Sequence, residues 1–518
     1  MSPSSLNRRD FLKLAGLASL SVVSASSSPL ARSLLDMLPK AGAQPPNFLV
    51  VVFDALSARN MSLYGYPRAN TSNLERFASR SIVFHQHHAS GNFTSPGTGS
   101  LLLGVYPWKH RSLQHHAQVL ERYSDQNLFS LLPQEYFRFA YTQNPFAFTL
   151  LDQFRQHIDR LPKMADLADY SALLSDKYFQ SDYYLAAETE LVALKQESHQ
   201  PASLFLSFLD QWRIARANTR INQAYRKAYP LGLTNCRSEN PGTQCFELEK
   251  AIDWTIAQVQ NTSQPYFGYV HFFPPHAPYN PRADFIGLFN DNLRIPKKPT
   301  FPGASYTNTK ALKLHRQHYD QSIAHLDSEF GRMLVTLDQT GALDNTVIIF
   351  TSDHGELFER GILGHETPAL FEPVTHVPLL ISLPGQQTRL DIELPTSSVD
   401  VLPTLLNLAG VSAPSDIEGA MLALDGTQPD VRNIYVVEAK SASKRGRLAP
   451  ASFVLLQWPY KLIQYTGYQN IPESYELFDL KSDPEELNNL YTPDDPISKT
   501  LAAGLSQRLL EVQSPESN

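Results

Sequence analysis

Cysteine is nearly absent: the 518-residue chain has 2. A Cys-rich zinc or iron–sulfur site is therefore excluded, and so is a disulfide-dense scaffold. Basic charge is not in excess either. Lys and Arg total 44 against 51 Asp and Glu, a formal net charge of −7. Nucleic-acid binders show a basic excess or stripe, so that class is not expected. No apolar run reaches the roughly 20 residues that a membrane-spanning helix needs. What is plentiful is apolar residue, 42% of the chain against 18% charged. A sizeable core can form, and wholesale disorder is excluded. The 16 His leave nitrogen and oxygen metal sites open. Dividing by about 150 residues per domain allows roughly three domains, and one large α/β domain with a small companion fits equally well.

Residues 1–43 read as an address rather than as fold. Asn7-Arg8-Arg9-Asp10-Phe11-Leu12-Lys13 is a twin-arginine pattern, and an apolar stretch follows from Leu14 to Val23. That stretch suits a signal peptide and is too short for a span. Cleavage is compatible with the small residues ending at Ala25 or Ala43. The segment resembles signals for the twin-arginine (Tat) export machinery. The resemblance implies a folded protein delivered to the periplasm or another extracytoplasmic place, tethered only if the signal stays on. No later segment reaches span length. Cys236 and Cys245 flank a turn-rich loop. In an exported protein a local disulfide is expected between them, two free thiols being the alternative.

Four apolar runs end in polar clusters. Phe48 to Phe53 ends at Asp54, and Tyr266 to Phe273 ends at Pro274-Pro275-His276. Thr346 to Phe350 leads to Ser352-Asp353-His354-Gly355-Glu356, and His376 to Ser382 leads to Pro384-Gly385. Unalternated β-rich runs fit strands buried on both faces, as in a parallel sheet. Helical patterns lie between them; Tyr319 to Leu337 carries Ile323, Leu326, Phe330, Met333 and Leu334 at helical spacing. Alternation of the two predicts an α/β sheet covered by helices. Ligands in such sheets sit at the carboxyl ends of strands, where Asp54, His276, Asp353 and His354 fall. Each alone reads equally as a turn residue or cap. Together, Asp oxygen and His nitrogen suit Zn or Mn, and Ca less well. Asp54 would add a third ligand, although spacing cannot show which strands are adjacent.

Gly91 to Gly104 reads as a helix start, with Thr94 or Ser95 as N-cap and Pro96 in the first turn. A helix N-terminus favours anions, and it favours the alkoxide of a hydroxyl placed there. His85-Gln86-His87-His88 tempts a metal reading. Alternation puts His85 and His87 on one face of a strand, and the ordinary reading is strand-edge histidines outside the site.

The ordered motifs resemble the sulfatase family of the alkaline-phosphatase superfamily. Phe48 to Asp54 with Tyr64-Gly65-Tyr66-Pro67 looks like its opening strand and loop, and Ser95-Pro96 through Gly104 like its nucleophile helix. Pro275-His276-Ala277-Pro278-Tyr279 matches its substrate-binding histidine loop, and Thr351-Ser352-Asp353-His354-Gly355-Glu356 its metal motif. Val399-Asp400-Val401-Leu402-Pro403-Thr404, Trp458-Pro459-Tyr460-Lys461-Leu462 and Glu476-Leu477-Phe478-Asp479-Leu480 also match. Two departures matter. Alignment on Pro96 puts Thr94 where sulfatases carry the Cys or Ser that becomes formylglycine, and Thr98 where they carry Arg. The opening Asp pair is here Asp54-Ala55. Both departures look like superfamily phosphodiesterases and phosphoethanolamine- or phosphoglycerol-type transferases that use Thr directly.

That resemblance implies one divalent metal, Mn, Zn, Mg or Ca, held by Asp54, Thr94, Asp353 and His354. Thr94 would attack phosphorus, and water or an acceptor alcohol would resolve the covalent intermediate. His276 would hold a non-bridging oxygen or protonate the leaving group. Lys109, His110 and His365 are expected to bind the anionic ester, His365 lying near where sulfatases place a lysine. A second metal, served by His271 and His276, is not favoured. Hydrolysis of a sulfuric ester and a non-catalytic binding protein of the same fold remain alternatives.

The expected organisation is a signal and linker (1–43), a sulfatase-like catalytic α/β domain (44–432) with a variable insert at about 111–262, and a small C-terminal α+β subdomain (433–518). The insert is read as an elaboration over the mouth of the site. In the last part, Tyr435 to Val437, Phe453 to Leu456 and Lys461 to Tyr465 read as antiparallel strands, and Ser498 to Val512 as a closing helix.

Overall fold

A computed structural model describes residues 44–171 and 244–513, apart from positions 292, 305, 307, 429, 444 and 445, together with parts of 212–235. The export segment and Cys236 lie outside the described residues, as does a stretch of the insert, Tyr183 to Lys195, whose sequence suits a helix. Cys245 lies inside them, buried against Tyr229 and Leu233.

Seven strands form the central sheet. They are β1 (Asn47–Phe53), β2 (Ile82–Phe84), β3 (Phe137–Thr142), β4 (Tyr266–Phe272), β5 (Thr346–Thr351), β6 (Leu379–Ser382) and β7 (Leu390–Ile392). Their spatial order is β7-β2-β6-β5-β1-β4-β3. β1 lies parallel between β5 and β4, and β4 pairs parallel with β3. Every residue of β1 is buried. Its side chains alternate between two cores: Phe48, Val50 and Val52 enter one, and Leu49, Val51 and Phe53 the other. Two buried faces explain why the run shows no polar alternation. Each such side chain contributes about 1.5–3 kcal/mol relative to exposure.

Helices cover both faces. α1 (Ser72–Ala78), α4 (Leu248–Asn261) and α5 (Thr309–Asp338) pack on one core. α2 (Thr94–Leu103), α3 (Pro145–Gln153) and α6 (Val401–Leu408) pack on the other. The architecture is thus a mostly parallel sheet sandwiched by helices.

One expectation changes. The run ending at Ser382 joins the sheet antiparallel to both neighbours. Its Pro384-Gly385 end therefore lies at the edge opposite the other strand ends. Periodicity carries no information on strand direction. Within the segment 111–262, the run Phe137 to Asn144 suits a further sheet strand and does supply β3, and α3 and α4 of the same segment cover the sheet.

A second, four-stranded antiparallel sheet follows: β8 (Ile434–Glu438), β9 (Ala451–Gln457), β10 (Tyr460–Thr466) and β11 (Ser474–Asp479), in that order. α7 (Pro496–Val512) packs on one face through Leu501, Leu505 and Val512. The other face meets Leu357, Phe371 and Val374 of the large domain. One buried cation joins the two. Lys461 Nζ lies 2.9 Å from Glu372 Oε1 and 2.9 Å from Glu486 Oε1, and donates to Thr375 Oγ1 at 3.2 Å. Burial works to raise Glu372, yet Lys461 and His88 hold it well below the usual carboxylate range. Removing one partner of such a pair strands the other charge in the core. Lys461→Met is expected to destabilise the protein by about 3–5 kcal/mol in urea unfolding.

Candidate active site

Register brings four chain positions level at one sheet edge. Val52 on β1 pairs with His271 on β4 and with Thr351 on β5, and Thr142 on β3 pairs with His271. Two residues past Val52, Thr351 and Thr142 stand Asp54, Asp353 and Asn144. Ala55 reverses the chain after β1 with a positive φ of 59°. The turns after β1 and β5 are laced together. Ala55 N–H donates to Asp353 Oδ1 at 3.3 Å, and Leu56 N–H donates to Ser352 Oγ at 2.9 Å. The Tyr319 hydroxyl of α5 donates to Ala55 O at 2.6 Å.

Thr94 opens α2, but Phe93, not Thr94 or Ser95, is the N-cap. The Thr94 hydroxyl thus has no capping role at the positive end of the helix. Asn144 holds it instead. Asn144 Oδ1 caps α3, accepting from Phe146 N–H at 2.7 Å. Its Nδ2 is then fixed as a donor, to Thr94 Oγ1 at 3.0 Å and to Asp54 Oδ2 at 2.5 Å. Gly97 lets α2 approach this closely, since a Cβ there would lie 2.3 Å from Asp353 O.

Buried polar atoms ordinarily have partners. Four here have none: Asp54 Oδ1, Asp353 Oδ2, His354 Nε2 and His271 Nε2. All four residues are fully buried. His354 Nε2 lies 3.3 Å from Asp54 Oδ1 and 3.5 Å from Asp353 Oδ2. Its Nδ1–H donates to Gly355 O at 3.0 Å, which turns the Nε2 lone pair toward the carboxylates. Burial opposes charge on Asp54, yet His276, His271 and His354 hold it well below the usual carboxylate range. Burial likewise opposes charge on His354, and Asp353 and Asp54 hold it at about 9. The two carboxylates thus call for positive charge at this position, a proton on His354 or a divalent cation in its place, and Asp54, Asp353 and His354 lie within reach of one ion.

Beside this cluster lie two more histidines. The His276 Nδ1–H donates to Ala277 O at 2.7 Å, and burial pushes its pKa down. His365 Nδ1 donates to Glu356 Oε1 at 2.9 Å. Its ring centroid lies 4.2 Å from that of His354 and 4.9 Å from that of His276. Asn92 Nδ2 donates to His365 O and Thr367 O, at 2.8 and 2.7 Å, fixing the loop.

Two expected anion-binding residues are elsewhere. Lys109 Nζ donates to Asp416 O at 2.8 Å, beyond the C-terminal end of α2. His110 packs fully buried under the same helix, accepting from Ser112 N–H at 3.1 Å and paired with Ser100 Oγ. Burial lowers it to about 3, so it is neutral and cannot hold an anion. Asn144 and Glu356 are site residues that sequence reasoning passed over. The apolar run Phe137 to Thr142 followed by an Asn-Pro cap is the signal that marks Asn144 as a strand end. His87 and His88 lie outside the site; His88 Nε2 is 3.3 Å from Glu372 Oε1.

A hydroxyl at a helix N-terminus thus stands beside a cluster of acids and a histidine that could hold one metal ion, at the edge of a mostly parallel sheet. The chain belongs to the sulfatase family, whose model matches residues 46–411, and the model "N-sulphoglucosamine sulphohydrolase, C-terminal" matches residues 365–515. It is 28% identical over 276 residues to arylsulfatase K of Bos taurus, covering 47% of this chain and 50% of that protein. The chain thus matches about half the length of that relative. Choline-sulfatase of Rhizobium meliloti (strain 1021) is 25% identical over 490 residues, covering 88% of this chain and 85% of that one. Among solved structures, the phosphonate monoester hydrolase of Agrobacterium radiobacter shares the fold, with a TM-score of 0.64, 19% identity, and coverage of 90% of this chain and 95% of that one.

Truncation separates these placements. Asn144→Ala is expected to lower kcat/KM about a hundredfold on an aryl ester, by loss of the donor that holds Thr94. Lys109→Ala is expected to leave kcat/KM within about twofold, as for an ordinary surface change.

Proposed function

We propose that the chain is a metal-dependent phosphoester hydrolase or phosphotransferase that works through a covalent Thr94 intermediate. The observation that carries this reading is the Thr94 hydroxyl itself. It is free of capping, bonded to Asn144 Nδ2 at 3.0 Å, and set at the start of α2 beside the metal cage. A divalent ion held by Asp54, Asp353 and His354 supplies Lewis acidity, lowering the pKa of that hydroxyl and polarising a phosphoryl oxygen.

The protein residues do the rest. Asn144 orients Thr94 Oγ for in-line attack, and the α2 N–H groups stabilise the developing negative charge. His276 is neutral through burial, and its Nδ1–H is engaged by Ala277 O. Thr94 gives its proton to solvent water, and the His276 imidazole, protonated in turn from solvent, gives a proton to the leaving oxygen. The Oγ–P bond forms as the bond from phosphorus to the leaving oxygen breaks. His365, anchored by Glu356, meets a non-bridging oxygen. Water or an acceptor alcohol then attacks phosphorus from the opposite side, its proton passing to the neutral His276 Nε2, and the Oγ–P bond breaks to release Thr94, which regains a proton from solvent. Both outcomes share the first half-reaction.

A second reading, sulfuric ester hydrolysis, is favoured by the names of the arylsulfatase K and choline-sulfatase relatives. The test is the mature chain, residues 44–518, assayed with Mn, Zn, Mg and Ca. The substrates are aryl phosphate monoester, phosphodiester, phosphonate ester and sulfate. Cleavage of a phosphorus ester is expected, with Thr94→Ala lowering kcat at least about a thousandfold. Thr94-dependent cleavage of the sulfate alone would replace this reading by the second.

The proposal extends to location. Asn7 to Lys13 and the apolar stretch after it support Tat export to an extracytoplasmic compartment. A reporter fused to residues 1–43 is expected to leave the cytoplasm only in Tat-competent bacteria. Changing Arg8 and Arg9 to Lys should retain it; export of that variant would overturn the assignment.

A further inference from the structure

The small C-terminal sheet meets the site at a second place. Val437 N–H of β8 donates to Ser90 O, shortly before α2 begins. Lys440 stands two residues past the end of β8, and its Nζ donates to Glu366 Oε2 at 2.7 Å. The other oxygen, Glu366 Oε1, accepts from His115 Nε2–H at 2.8 Å. Each carboxylate oxygen thus has its own nitrogen partner. The side chains of His115, Glu366 and Lys440 are 29%, 31% and 30% exposed. A carboxylate so exposed is solvated by water and gains little stability from two such partners.

The place of Glu366 gives the pairing a different use. It follows His365, whose ring lies 4.2 Å from that of His354 and 4.9 Å from that of His276. Asn92 Nδ2 bonds the carbonyls on either side of Glu366, those of His365 and Thr367. His115 stacks on Phe146 at 4.6 Å and meets the edge of Phe93 at 5.9 Å. Phe93 precedes Thr94, and Phe146 N–H bonds the Asn144 side chain that holds Thr94. The Glu366 carboxylate is thereby fixed at the rim of the Thr94 site. Burial works to raise Glu366, yet His115, His365 and Lys440 hold it well below the usual carboxylate range. A bare carboxylate there repels an anionic ester.

We propose that Lys440 is a substrate-binding determinant contributed by the C-terminal subdomain: it cancels the Glu366 charge beside His365, and its loss discriminates against esters in proportion to their negative charge. The proposal rests on the reading of Thr94 and His365 as the place where the ester binds. Lys440 acts through Glu366 and touches no reacting atom, so the effect falls on KM rather than on kcat. Doubling the charge of the ester doubles the repulsion and squares the factor lost.

The experiment uses the metal-loaded full chain at pH 8 and low salt. An aryl phosphate monoester serves as the dianion, and an aryl phosphonate ester or aryl sulfate as the monoanion. Lys440→Met is expected to raise KM about threefold for the monoanion and about tenfold for the dianion, with kcat within about twofold. Both rises should shrink in about 0.5 M salt, and Lys440→Arg should keep KM near the wild-type value. Adding Glu366→Gln to Lys440→Met removes the unmasked charge and should restore KM. Calorimetry with inorganic phosphate reads the same loss and rescue without turnover. A wild-type KM in Lys440→Met would overturn the proposal. So would an equal rise for both esters that Glu366→Gln does not reverse, as a merely structural role predicts. If Thr94→Ala turned over the esters like the wild type, the reading of the site itself would fall, and this proposal with it.

Discussion

The structure turns on one electrostatic constraint: two buried carboxylates, Asp54 and Asp353, converge on the buried His354 imidazole, with Asp54 Oδ1, Asp353 Oδ2 and His354 Nε2 left without a hydrogen bond. Carboxylates held this close repel unless positive charge lies beside them, and that demand raises His354 to about 9. The protein cannot relax the repulsion by turning side chains away. The other edge of each group is fixed, by Asn144 on Asp54, by Ala55 and His354 N–H on Asp353 and by Gly355 O on His354. A cage so braced is preorganised for a cation, and the bracing is built from backbone turns and strand register.

The same bracing holds the Thr94 hydroxyl, the proposed nucleophile. Asn144 is at once the N-cap of α3, a donor to Asp54 and a donor to Thr94. One side chain thus ties sheet, metal cage and reacting hydroxyl together. Gly97 lets α2 press its first turn onto Asp353, and the loop after β5 is held from beneath by Glu372, Lys461 and Glu486. The small C-terminal sheet is therefore part of the support of the active loop.

Much of this was legible in the sequence. Apolar runs ending in Asp54, Asp353 and His276 revealed strands and their functional ends, because burial on both faces leaves an unalternated signature. The ordered motifs carried the family, and the family model bears that out. Strand order was not legible. β4 and β5 flank β1 although more than two hundred residues separate them from it, so neither His271 nor Asn144 could be assigned to Asp54 from spacing. Lys109 and His110 were misplaced for a related reason. A ten-residue helix is about 15 Å long, which carries Lys109 away from Thr94 at its start, while His110 folds its ring beneath the helix against Gly99 and Ser100. The direction of β6 was hidden because an apolar run reads the same either way.

The most direct measurement asks whether Thr94 carries the transferred group. Metal-loaded protein is mixed with an activated phosphorus ester, quenched in acid during the first turnover, digested, and its peptides mapped by accurate mass. A phosphoryl group on the Thr94 peptide, present with metal and absent after chelation, is the expected result. Rapid turnover with Thr94 unmodified at every quench time would contradict direct attack by this threonine.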